Sequence, residues 1–146
     1  MLTGQLLLLS FPDIDINSDS RSPLAGGFLT GKVSLATEAT STSGRWDGAR
    51  FPFYVNAFDK PIIHTAMLSF CEKCEEAGVT PTEVALRWIL HHSALGEGDA
   101  ILLGASSVEQ LRGNVAFCGK GPLGEGLVGA CGVLWGEVER DPPECF

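Results

Sequence analysis

Apolar positions recur at helical spacing in four stretches of this chain, and one short run is apolar throughout. Ile63, Ala66, Met67, Phe70 and Cys74 line one face of a segment opened by Pro61, with Lys73, Glu75 and Glu76 toward solvent and Gly78 as its stop. His64 falls on the side away from that stripe and is expected in solvent. The second helix is marked by Thr80-Pro81-Thr82-Glu83, which supplies an N-cap hydroxyl, a proline at the first helical position and a glutamate to complete a capping box. Val84, Ala85, Trp88 and Ile89 then face a core.

Beyond the turn at Gly96 to Gly98, Ala100-Ile101-Leu102-Leu103 reads as a strand buried on both faces. Gly104 comes next, and Ser106 and Ser107 with Glu109 and Gln110 offer two overlapping capping boxes for a helix whose core face is Val108, Leu111 and Val115. In the last stretch Leu127, Ala130, Cys131, Leu134 and Val138 share a face. Gly124, Gly126, Gly129, Gly132 and Gly136 each cost that helix about 1 kcal/mol relative to alanine, so packing has to hold it. Residues 1–21 share nothing in composition with the rest of the chain and read as a weakly structured leader ending in the turn-like Asn17 to Arg21. From Ser22 to Arg50, Gly, Ser and Thr predominate, as in a long functional loop.

Composition narrows the function. At 146 residues and 45% hydrophobic, the chain has material for one globular domain. A net charge of -8 with scattered basic residues argues against nucleic acid and anionic membranes, both of which need a dense basic patch, while a basic pocket for one small anion stays open. Leu6 to Leu9 is too short to span a bilayer and lacks the flanks of a signal peptide, so the cytoplasm is the default location. Five cysteines, an odd number, disfavour a disulfide scaffold, and Cys71-x-x-Cys74 lacks the context of a zinc or redox site.

The step from Gly104 into the helix is the strongest chemical signal. A first helical turn leaves N–H groups unpaired and presents the positive end of the dipole, so a phosphate fits there. Gly104 and Ala105 admit close backbone approach, Ser106 and Ser107 donate, and Arg112 adds a cation. The same residues also serve an ordinary capped helix. Gly26 to Lys32 fits the G-x-x-x-x-G-K part of a nucleotide-binding P-loop, but Val33 stands where a hydroxyl should hold magnesium and no apolar strand leads in. His91 and His92 in a last turn are read as complements to the helix dipole. Tyr54 is the only tyrosine, and no Ser-His-Asp or paired-carboxylate motif is visible.

Three stretches together resemble the aldo-keto reductases, most closely the aflatoxin-aldehyde reductase branch: Ser22 to Lys32, Ala85 to Ser93, and Gly98 to Asn114. Gly121-Pro122-Leu123, Trp135 and Pro143 to Phe146 stand in family-like places. The resemblance runs from Ser22 to the end and implies an α/β fold, the C-terminal part of a (β/α)8 TIM barrel, here mostly helical with Ala100 to Leu103 as its eighth strand. It implies NADP(H) as cofactor and a small carbonyl compound as substrate, in detoxification or secondary metabolism, with a homodimer open to the full-length parent. Carried over, Ser22, Pro23, Leu24, Gly26, Gly27 and Lys32 wrap the pyrophosphate, and Gly104, Ala105, Ser106, Ser107, Gln110, Arg112 and Asn114 grip the adenosine phosphate. Arg45, Trp46 and Tyr54 match, less closely, the segment that covers cofactor and substrate.

Departures accompany these matches. The family's catalytic aspartate, tyrosine, lysine and histidine lie on the first half of its barrel, which has no counterpart here, and Tyr54 is not that tyrosine. Ser18 to Arg21 stands where the seventh strand should lead into Ser22-Pro23, so that strand reads as missing. Gly113 replaces a polar side chain usual beside Asn114. The expectation is an NADPH-dependent reductase of aldehydes or ketones, truncated and inactive alone, with residues 1–21 from translated intron or a misplaced start. The alternative is an inactive piece used for binding, or for nothing, and a P-loop nucleotide binder is the remote third.

Overall fold

The computed structural model describes residues 19–20, 23–33, 46, 55–56 and 58–140. Helix α1 (Pro61–Glu76) starts where proline fits the first turn, and it buries Ile63, Met67, Phe70 and Cys74 as the spacing predicts. Val79 N–H reaches the Cys74 carbonyl, and Gly78 at φ 66° takes the left-handed turn that ends the helix. Helix α2 (Pro81–His92) is capped by Thr80, whose hydroxyl accepts from the Glu83 N–H at 3.2 Å. Only this half of the capping box forms. The Glu83 carboxylate turns instead to Arg87 Nη1 at 2.8 Å and Lys120 Nζ at 2.7 Å.

Two strands pair in parallel: β1 (Asp19–Ser20) and β2 (Ala100–Ile101), with Asp19 opposite Ala100 and Ser20 opposite Ile101. This corrects the expectation that no strand leads into Ser22-Pro23. Asp19 and Ser20 carry no apolar signal, but a ladder needs only their backbone N–H and C=O groups. β2 is also shorter and less buried than predicted. Leu102, 49% exposed, and Leu103 lie beyond the strand, because a two-pair ladder leaves an apolar run uncovered on its other sides.

Helix α3 (Val108–Cys118) comes after β2, and helix α4 (Glu125–Arg140) lies along α1 with Cys131, Leu134 and Val138 buried. Each such side chain taken from water contributes about 1.5 to 3 kcal/mol, which is what holds a helix this rich in glycine. Leu127 and Ala130 are only half-buried. The predicted core face of α3 is corrected: Val108, Leu111 and Val115 are exposed, and its buried residue is Asn114. Spacing identifies a face but not what covers it, and α3 packs on α2 through its other side. His64 likewise departs from expectation. It is 5% exposed, since the ring stands beside the stripe with Phe28 packed against it.

Candidate cofactor cleft

One wall of the cleft is a 3-10 segment, Ala25–Thr30, whose backbone turns through positive φ at Ala25 (49°), Gly26 (67°) and Gly27 (106°). Glycine meets that demand at no steric cost, which explains the Gly-Gly pair. The Leu24 carbonyl accepts from Gly27 N–H at 2.8 Å and Leu29 N–H at 3.2 Å, while Thr30 Oγ1 donates to the Gly27 carbonyl at 2.7 Å. Phe28 and Leu29 plug the segment into the core. Gly31 at φ 74° closes it, and a Cβ there would meet Cys71 Sγ at 2.8 Å.

The facing wall is Leu102 to Ser106 and the first turns of α3. Ser107 caps the helix by accepting from Gln110 N–H at 3.1 Å. Gln110 Oε1 reaches back to the Ser106 N–H at 2.8 Å and its hydroxyl at 3.0 Å. The two walls enclose a cleft of about 400 Å³ lined by Pro23, Leu24, Gly26, Gly27, Thr30, Leu102, Leu103, Gly104, Ala105, Ser106, Gln110 and Asn114. Asn114 is 3% exposed and its Nδ2 is buried without a hydrogen-bond partner among the described residues. Such a donor costs about 1 to 3 kcal/mol unless something accepts from it.

Of the residues predicted for a cofactor, Pro23, Leu24, Gly26, Gly27, Gly104, Ala105, Ser106, Gln110 and Asn114 thus share one cleft. Ser107 spends its hydroxyl on the cap, and Lys32 and Arg112 are exposed and do not line the cleft. Ser22, Arg45 and Tyr54 lie outside the described residues. Trp46 folds onto the 3-10 wall, with Nε1 donating to the Gly26 carbonyl at 3.3 Å and its ring 5.7 Å from Phe28. Sequence reasoning missed Thr30, Leu102 and Leu103 as lining residues. An apolar run reads as core whether it faces a core or a cleft, so the leucines gave no separate signal.

The remaining candidates have structural partners. His91 Nε2 pairs with the Lys120 carbonyl at 2.8 Å, and His92 Nε2 accepts from Leu123 N–H at 2.9 Å. They therefore tie α2 to the segment before α4 rather than serving the end of their own helix. Arg87 donates to the Gly121 and Pro122 carbonyls, both at 2.8 Å, from the same side. Burial pushes the Cys74 thiol up to about 11 and the Cys131 thiol up to about 12, and it raises Cys71 and Cys118 as well. The thiolate that redox and metal chemistry require is suppressed at neutral pH. Among the described residues no group of three His, Cys, Asp or Glu could hold a metal ion, and no helix is long and apolar enough to cross a membrane.

Comparison with known proteins agrees with the resemblance. The family model described as the aldo/keto reductase family matches residues 13–129, beginning upstream of Ser22 inside the segment set apart as a leader. The oxidoreductase sirO of Leptosphaeria maculans is 39% identical over 126 residues, covering 84% of this chain and 37% of that protein. An aldo-keto reductase of Pseudocercospora fijiensis is 40% identical over 87% of this chain and 44% of its own length. The human aflatoxin B1 aldehyde reductase member 2 is 37% identical over 134 residues, 86% of this chain and 37% of that protein. The chain spans about two fifths of the length of these curated relatives.

Proposed function

The chain belongs to the aldo/keto reductase family, and from that premise we propose that its cleft holds NADP(H) for the reduction of a small aldehyde or ketone. The observation that carries the reading is Asn114, a buried amide donor with no partner among the described residues, at the meeting point of a glycine turn and a helix N-terminus. Gly26, Gly27 and Gly104 let backbone approach a bulky ligand, and Ser106 with the first turn of α3 offers donors to a phosphate. An anion at Ser106 replaces the Gln110 oxygen that now satisfies it. NADPH supplies the hydride when bound. The chain's own residues bind and orient, and none of them fits the family's catalytic set, so the chain taken alone binds cofactor without turning over a carbonyl.

The test is a fluorescence titration of the full 146-residue chain with NADPH, with an aromatic aldehyde added afterwards. Saturable binding without turnover is expected, and Asn114→Ala weakens binding about tenfold, the value of one hydrogen bond to a buried donor. No binding, or equal binding by the variant, rejects the cofactor reading. Turnover by this chain rejects the claim that it lacks the catalytic groups.

A further inference from the structure

Beside the cleft lies a buried pair that the cofactor reading does not use. His64, 5% exposed on the first turns of α1, places Nε2 2.9 Å from Asp59 Oδ1, and the Asp59 side chain is itself only 12% exposed. The imidazole stands nearly perpendicular to the Phe28 ring, at 85° and 5.2 Å between centroids. Phe28, 2% exposed, stacks on Phe58 at 5.6 Å and leans on Trp46.

We propose that His64, held by Asp59 and acting through Phe28, is the positioning residue for the glycine turn that forms one wall of the cleft. The proposal rests on the reading of that cleft as the cofactor site. Gly26 and Gly27 have no side chains to fix them, so their place is set by what grips the backbone on either side. The Leu24 carbonyl, Thr30 Oγ1 and Trp46 Nε1 bond the turn's own backbone, and Phe28, the next residue in the chain, ties it to the core. Phe28 does not line the cleft; its ring points into the aromatic cluster, so a shift of that ring moves the adjoining Gly27. A hydrogen bond at Nε2 holds the imidazole to one orientation, and perpendicular packing couples the Phe28 ring to it. The contacts lead from a 16-residue helix to the one core side chain adjoining the two glycines.

Two variants test this on the full chain. His64→Gln keeps a donor for Asp59 and removes the ring; Asp59→Ala leaves the ring and removes its anchor. Hydrogen exchange is measured without cofactor at the Gly27, Leu29 and Gly31 amides, which bond to the Leu24 and Phe28 carbonyls. Exchange at these three is expected to quicken about tenfold or more in His64→Gln, and in the same direction in Asp59→Ala, with Val84 to Ile89 unchanged. NADPH binding is expected to weaken about tenfold in parallel. Native exchange rates in both variants overturn the proposal. So does an acceleration shared equally by α2, which marks the pair as general packing. If the native chain fails to bind NADPH while the three amides respond locally, the cofactor reading falls and the positioning role stands.

Discussion

A single hydrogen at Gly31 separates the 3-10 segment from α1. Its φ of 74° disfavours any other residue, and a Cβ would lie 2.8 Å from Cys71 Sγ. Gly31→Ala therefore carries a backbone penalty and a steric one, together about 1 to 3 kcal/mol in a urea titration. Cys71→Ala removes the steric part alone, so the double variant recovers part of the loss and not all of it; full additivity would show that the contact does not matter. Gly27, at φ 106° but with nothing within 4 Å of an added Cβ, shows the backbone part in isolation. The need for glycine at these places was legible in the sequence as a Gly-rich loop, and the particular contact was not. Asn114 shows the same limit. Its place near the helix start was readable, whereas its burial depends on how α3 packs on α2, a contact between parts of the chain that the local pattern does not specify.

At the scale of elements, α4 is stabilised by what it buries and weakened by what it is made of. At Gly129 and Gly132, both exposed, an added Cβ meets nothing within 4 Å, so neither glycine serves a close approach. Replacing both with alanine is expected to raise stability by about 1 kcal/mol each, read as a higher urea midpoint at unchanged slope. No gain would mean that those faces are covered in solution. Helix boundaries were legible to within a residue or two because Thr80-Pro81, Ser107 and Gly78 state them chemically. Which face of α3 is buried was not, since Val108, Leu111 and Val115 spell an apolar stripe whether or not a neighbour stands against it. β1 was illegible for the opposite reason: Asp19 and Ser20 enter their ladder through backbone alone.

Across the whole molecule, α2 is joined to the segment before α4 by Glu83, Arg87, Lys120, His91 and His92. Burial pushes the Glu83 carboxyl up, but hydrogen bonds and charge from Lys120 and Arg87 outweigh it and hold the group below its ordinary value. A carboxyl lowered on folding contributes stability above its unfolded value, about 4.3, and loses it as the pH falls through the folded value. Glu83→Gln is thus expected to cost about 1 kcal/mol at pH 7, since Lys120 is half exposed and Arg87 keeps its two carbonyl acceptors when the carboxylate charge is lost. The gap between native and variant should shrink below about pH 4; a gap constant from pH 7 to pH 3 would show that charge is not what joins the parts.

The smallest element has the widest kinetic effect. Two backbone pairs between β1 and β2 close a loop of about eighty residues, an entropic cost that short-range helix contacts do not meet. Contacts between helices near in the chain, such as α2 with α3, close shorter loops and are expected to form before the ladder does. Because Pro23 and Leu24 lie just after β1 and Leu102 to Gly104 just after β2, the cleft walls are expected to come together late in folding and to part early in unfolding. A ligand that spans them slows opening, so it acts as a brake on unfolding even where it adds little to the core.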